Sequence, residues 1–218
     1  MFDRDPWREI IAGARGKPPR FVVLLLAALG LGMIAESFYE LRPLLAWLRL
    51  DASVWEAGQL WRVVTYGFVG QGALGLWSVI QLVAIWWFIV ELCVAMGVAR
   101  VRVLVLGGVV IAGLTAVVAQ LAWEAATGTR NDFSFAMMQG QRIIVAIVVP
   151  AFATRHRHTM VSSPLLFGLP LPSRWLIGLH LFFALTTFAA IRDVGGLAGV
   201  LAATLWGARA LRGPAKKR

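Results

Sequence analysis

Six mostly apolar stretches alternate with polar connections along the chain. A transmembrane helix needs about 20 predominantly apolar residues, and each stretch approaches that length. The pattern therefore predicts an all-α, polytopic membrane protein with a six-span membrane domain over residues 21–211. A leader, 1–20, precedes this domain, and a short basic tail, 212–218, follows it. The predicted spans are 21–37, 76–98, 103–123, 135–153, 174–191 and 194–211.

The connection between the first two spans, 44–75, is long, and its charges interrupt the apolar pattern too often for a further span. It contains Trp47, Trp55 and Trp61. Tryptophan prefers the headgroup region of a bilayer, so this connection is predicted to be an interfacial element that lies on the membrane. Glu36, at the end of the first span, is interpreted as a charge at the membrane rim.

The composition agrees with a membrane protein and adds an orientation. Hydrophobic residues make up 59% of the chain, and the 21 Lys and Arg residues outnumber the 11 Asp and Glu residues. Fifteen of these basic residues lie in the leader, after spans two and four, and at the C-terminal end, against six near the opposite side. The positive-inside rule then predicts that both termini are cytosolic, and it explains the basic charge without a nucleic-acid partner. The leader lacks the apolar core of a signal peptide.

Disulfide and metal chemistry are not indicated by the residue types. Cys93 is the single cysteine, so no intramolecular disulfide can form. The three histidines do not have the spacing of a zinc site. The sequence therefore predicts neither a metal nor a cofactor.

The fourth predicted span has a polar centre, Met138-Gln139-Gly140-Gln141-Arg142. Polar groups at membrane depth are costly unless they face protein or water, so they mark a candidate functional or packing site. Helical spacing puts Gln139 and Arg142 on one face. The alternative is that Arg142 lies near a helix end, with its charge extended to the surface.

Asp193 immediately precedes the sixth predicted span, on the same side of the membrane as this polar centre. A carboxylate entering a helix bundle stays charged beside a guanidinium, which makes Arg142 its best candidate partner. The prediction is one polar network of Gln139, Arg142 and Asp193. The alternative is a water-exposed Asp193 that caps the N-terminus of span six.

Small residues recur every four positions in the sixth span, at Gly195, Gly199, Ala203 and Gly207. Such a stripe lets two helix backbones approach closely inside a membrane. We expect it to pack against span four.

Two segments are similar to motifs of the rhomboid superfamily. The run 59–68, Gln-Leu-Trp-Arg-Val-Val-Thr-Tyr-Gly-Phe, resembles the Trp-Arg motif of the first rhomboid loop at Trp61 and Arg62. The run 194–199, Val-Gly-Gly-Leu-Ala-Gly, is similar to the rhomboid His-x-Gly-Gly-x-x-x-Gly segment. The resemblance implies a rhomboid-like six-helix bundle with an interfacial first loop, in which Arg62 hydrogen-bonds loop carbonyls.

The same resemblance implies that the catalytic residues are missing. Rhomboid proteases carry a serine on span four and a histidine on span six, and this chain has Gln139 and Asp193 at the matching positions. Trp77 and Gln81 stand where the family has the histidine and asparagine of the oxyanion site. An amide is not a nucleophile, so an inactive protease is expected. The alternative is a rhomboid-type serine protease with displaced catalytic residues.

The inactive Derlin subgroup offers the closer resemblance. Its span four carries a Gly-Gln pair like Gly140-Gln141, and the runs 166–169 and 172–175 are similar to the Derlin segment before span five. The resemblance implies a protein in the lipid bilayer that binds transmembrane segments of client proteins in membrane protein quality control or trafficking. The tail is too short for the Derlin motif that recruits an AAA ATPase. A small-solute transporter is the remaining alternative.

The organism cannot be read from the sequence, but residue usage and the lack of a targeting signal indicate a cellular location. The residue usage, rich in Ala, Gly, Arg and Trp, favours a bacterial inner membrane, or the endoplasmic reticulum membrane if the chain is eukaryotic.

Overall fold

The computed structural model describes residues 18–51, 54, 58–70, 75–128, 135, 137–157, 159–162 and 170–209. Most of the leader, the basic tail, Trp55 and the run 166–169 lie outside the described residues. The described helices are α1 Arg20–Glu36, α2 Arg42–Ala46, α3 Arg62–Thr65, α4 Leu76–Met96, α5 Val98–Thr127, α6 Gln141–Arg155, α7 Arg174–Ile191 and α8 Val194–Arg209. Two 3₁₀ turns, Tyr39–Leu41 and Tyr66–Phe68, join shorter pieces of the first connection.

Three of the described helices, α4, α5 and α7, are long and apolar enough to cross a membrane. Helix α1 and the segment 39–46 meet at an angle of 111° and make a fourth candidate if the bent pair is counted as one span. The fold is therefore mostly helical and membrane-embedded, but the predicted six spans are not confirmed. Helices α6 and α8, with 15 and 16 residues, are short for a span.

The fourth predicted span differs from expectation at its start. Residues 137–140 form a turn, and α6 begins only at Gln141. Gly140 has a positive φ of +60°, which a continuous right-handed helix excludes. The polar centre is therefore the entrance to a helix and not the middle of one.

Helix α6 lies at the centre of the bundle. From Ile143 to Ala153 nearly every side chain is buried, and α6 contacts α4, α5, α7 and α8. A helix that is apolar all round and buried on all sides is the expected core element of a bundle.

The small-residue stripe of α8 packs closely on two neighbours. A methyl group built on Gly199 would lie 3.0 Å from the Ala112 carbonyl oxygen of α5, and one on Gly207 would clash with the Ile147 carbonyl oxygen of α6. Ala203 is fully buried, and Gly195 lies against α5 at Ala116. The expected packing against span four is thus present at Gly207, with α5 as a second partner.

A short antiparallel hairpin precedes α7. Strands β1, Met160–Ser162, and β2, Pro170–Pro172, pair with Val161 opposite Leu171. The all-α prediction did not include this hairpin. Prolines exclude a regular helix here but are tolerated at the ends of a short edge strand.

Candidate functional site

A cavity of about 110 Å³ lies between the start of α4 and the start of α6. Its lining is mostly polar and includes three side-chain amides, one hydroxyl, one indole and one guanidinium. The lining residues are Gly70, Trp77, Ser78, Gln81, Gln139, Gln141 and Arg142. A polar cavity of this size accommodates a few waters or one polar side chain.

Residues that the family resemblance matches to catalytic positions on two different spans line the same cavity. Gln139 was placed at the degenerate nucleophile position on span four, and Trp77 and Gln81 at the degenerate oxyanion positions on span two. All three line the same cavity. Arg142, predicted to share a face with Gln139, also lines it.

The turn that carries Gln139 is held by the first connection. The Gln139 Nε2 group donates a hydrogen bond to the Leu50 carbonyl oxygen at 3.0 Å, and only 1% of Gln139 is exposed. The backbone N–H of Gly140 donates to the Tyr66 carbonyl oxygen at 2.9 Å. The first connection therefore forms one wall of the site, a role that its predicted place on the membrane surface did not include.

Tyr66 fixes this wall to the bundle. Its ring is fully buried, and its hydroxyl donates to the Val109 carbonyl oxygen of α5 at 2.7 Å. Burial raises the pKa of Tyr66 above its ordinary value, so the hydroxyl stays protonated and remains a donor. Tyr66 lies inside the run 59–68, but no pattern in the sequence indicates this role for it.

Two glycines bring separate backbones into contact at the edge of the cavity. A methyl group built on Gly140 would lie 2.7 Å from Gly70 Cα and 2.8 Å from Gly70 N. Only glycine fits at position 140, because of both this contact and the positive φ.

Asp193 lies in the connection between α7 and α8 and binds backbone groups. Its carboxylate accepts hydrogen bonds from the N–H of Gly196 at 2.7 Å and from the N–H of Met137 at 3.3 Å. Burial raises the pKa of Asp193, and these two hydrogen bonds oppose the rise. Asp193 therefore caps α8 and ties it to the turn that carries Gln139.

The predicted network of Gln139, Arg142 and Asp193 differs from the structure. Among the described residues no ion pair joins Arg142 to Asp193, and Arg142 is exposed at the cavity. The backbone N–H of Gly196, three residues along the same helix, is the nearer partner for the carboxylate. The capping alternative is correct, although Asp193 is buried and not water-exposed.

Arg62 also has a different partner from the one expected. Its guanidinium pairs with the Asp51 carboxylate, where the resemblance implied loop carbonyls, and 6% of Arg62 is exposed. Trp61 donates from its indole N–H to the Trp47 carbonyl oxygen at 3.2 Å. The Trp-Arg motif therefore links parts of the first connection to each other.

A second ion pair, between Glu36 and Arg49, was not predicted. Glu36 is only 4% exposed and is not the rim charge that the sequence suggested. The two residues are 13 positions apart and belong to different elements, so no local spacing indicates the pair.

No protein-family model matches the chain, and neither does any curated protein or solved structure. Function is therefore inferred from the cavity and the residues that hold it.

Proposed function

We propose that the chain is a catalytically inactive, Derlin-like member of the rhomboid superfamily that binds transmembrane segments of client proteins. Its role would be membrane protein quality control or trafficking. The observation that carries the proposal is the convergence of Gln139, Trp77 and Gln81 on one cavity. The resemblance matches these residues to a nucleophile on one span and to an oxyanion site on another, which act together in a protease and so imply one shared cavity.

The chemistry of the lining supports binding over catalysis. Among the described lining residues, Ser78 carries the one hydroxyl group, and none of the seven is a histidine or a carboxylate. Acyl transfer needs a hydroxyl or thiol activated by a base within hydrogen-bond reach. Three amides instead offer paired donors and acceptors to a polar group of a bound helix.

The proposed setting is a bacterial inner membrane with both termini in the cytosol, following the distribution of Lys and Arg. The partners are lipid and transmembrane segments.

Site-specific photo-crosslinking in native membranes tests client binding. The crosslinker is placed at Gln141, which lines the cavity, and at Val118, which is exposed on α5 and does not line the cavity. With a panel of single-span helices, we expect crosslinks from position 141 to exceed those from position 118 severalfold. Equal yields from the two positions would contradict a client site at the cavity.

The protease alternative has one specific candidate, Ser78. If the protein cleaves a single-span substrate or reacts with a fluorophosphonate, Ser78→Ala abolishes that reaction, and the inactive assignment is wrong. We expect no cleavage and no labelling of the native protein.

A further inference from the structure

We infer that the Glu36–Arg49 ion pair positions the wall of the cavity at Gly70 and so couples the end of α1 to the proposed client site. This inference rests on the function proposed for the cavity. Neither Glu36 nor Arg49 lines the cavity.

Arg49 contacts the wall of the cavity. The Arg49 Nη2 group binds the Glu36 carboxylate and also lies 3.4 Å from the carbonyl oxygen of Gly70. Glu36 is the last residue of α1, and Gly70 lines the cavity. One guanidinium therefore connects the C-terminal end of a helix to the main chain of the wall.

Gly70 lies close to other residues at the cavity. A methyl group on Gly70 would lie 3.5 Å from the Gln141 side-chain oxygen, and Gly140 packs directly on the Gly70 backbone. A displacement of Gly70 towards α6 therefore has to displace the entrance of that helix, and a displacement away from α6 widens the cavity.

Arg49 belongs to a short segment in which each residue makes a polar contact with a distant part of the chain. We name residues 48–51 the anchor segment. Its next residue, Leu50, accepts the hydrogen bond of Gln139. Successive residues of the anchor segment thus hold two lining residues, Gly70 and Gln139. The remaining contacts are from Thr65 Oγ1 to the Leu48 carbonyl oxygen at 2.8 Å and from Arg62 to Asp51.

The energetic consequence follows from burial. Glu36 is buried and Arg49 is half-buried, so removal of the carboxylate leaves a partly desolvated guanidinium without its counter-charge and favours rearrangements that expose it to water. Loss of Glu36 would therefore free Arg49 to move towards solvent and release its contact with Gly70. The cavity would open without a change in any lining residue.

The experiment measures access to the cavity directly. In a Cys93→Ala background, Ser78→Cys provides a single thiol in the lining. We expect Glu36→Gln to increase the rate of thiol labelling by about tenfold, because labelling follows the population of the open state. Arg49→Lys keeps the charge but loses the guanidinium fork, and we expect a smaller increase; it serves as the second variant if Glu36→Gln does not fold.

Two controls separate positioning from general loosening. Glu40→Gln removes an exposed carboxylate near α1 and should leave labelling unchanged. Arg62→Met breaks the other ion pair of the anchor segment but leaves the contacts of Arg49 with Glu36 and Gly70 in place, so it should raise labelling less than Glu36→Gln does. If Arg62→Met lowers thermal stability as much as Glu36→Gln and raises labelling equally, the inference is overturned.

A binding measurement with the single-span helices separates the proposed function from the proposed coupling. It is made on the native protein and on the Glu36→Gln variant. A native protein that binds no helix, together with a Glu36→Gln variant that labels faster, refutes the proposed function and leaves the positioning of the wall intact. A native protein that binds helices, together with a Glu36→Gln variant unchanged in labelling or in binding, refutes the coupling.

Discussion

Helices α7 and α8 are neighbours in the sequence and are both apolar, yet they are placed in opposite environments. Only 11% of the residues of α7 are buried. The helix exposes Phe182, Phe183 and Leu185. Helix α8 instead buries its glycines against α5 and α6. Hydrophobicity does not distinguish the two, since lipid and protein interior are both apolar. The two helices differ in the periodic small residues of α8, which let one face of that helix contact the backbones of α5 and α6.

The largest expected effect comes from filling the close contact of α8. Gly199→Leu would place its Cβ 2.6 Å from the Met138 sulfur and 3.0 Å from the Ala112 carbonyl oxygen. Because the carbonyl belongs to the main chain, the helices must separate, and we expect a loss of about 3 kcal/mol or more in unfolding free energy. Thermal unfolding in detergent measures it.

The matched control for this change lies on α7. Gly178→Leu adds the same atoms at a helical glycine whose Cβ would meet nothing within 4 Å. We expect unchanged or slightly raised stability, because leucine is the better helix former. A similar loss at both positions would remove the distinction between the two helices.

An intermediate effect is expected from a hydrogen bond inside the packed region. Tyr66→Phe removes the donor to the Val109 carbonyl oxygen and leaves that oxygen buried without it, at a cost of about 1 kcal/mol. On α7, Thr186 donates to the Phe183 carbonyl oxygen at an exposed position, and Thr186→Val should change stability by less than about 0.5 kcal/mol. Chemical or thermal unfolding of both variants compares them; equal losses would contradict the contrast.

The smallest effect is expected at the junction of the two helices. Burial raises the pKa of Asp193, so the folded state holds the proton more tightly than the unfolded state does. The stability that this protonation contributes is complete below the ordinary pKa of an aspartate and is lost as the pH rises through the raised value. Stability of the native protein relative to Asp193→Asn should therefore decline as the pH rises in that range. Thermal unfolding across this pH range measures the difference, and a rising difference would contradict the direction.

The elements that local pattern determines could be predicted from the sequence. The bounds of α7 agree with the fifth predicted span at residues 174–191. Arg174 and Arg192 flank the apolar run, so the sequence itself marks both ends of the helix. The stripe on α8 was likewise visible as a period of four. These features need only residues that lie close together in the chain.

Features that depend on distant residues were missed. The turn at 137–140 was predicted as helix. The close contact of Gly140 involves Gly70, which is 70 positions earlier and is not visible in the local pattern. The Glu36–Arg49 pair and the hydrogen bond from the Met137 N–H to Asp193 were missed for the same reason. Six spans were expected because apolar runs were counted, whereas α6 is short and enclosed by its neighbours.

The contact between Gly140 and Gly70 also limits which sequences the fold can accept. Both groups in contact are main-chain atoms, so no substitution of a side chain elsewhere can make room for a methyl group at position 140. Compensating changes, which normally let buried positions diversify, do not exist for such a site. A saturation library selected for folded protein should therefore retain glycine alone at position 140, in every genetic background that preserves the path of the first connection.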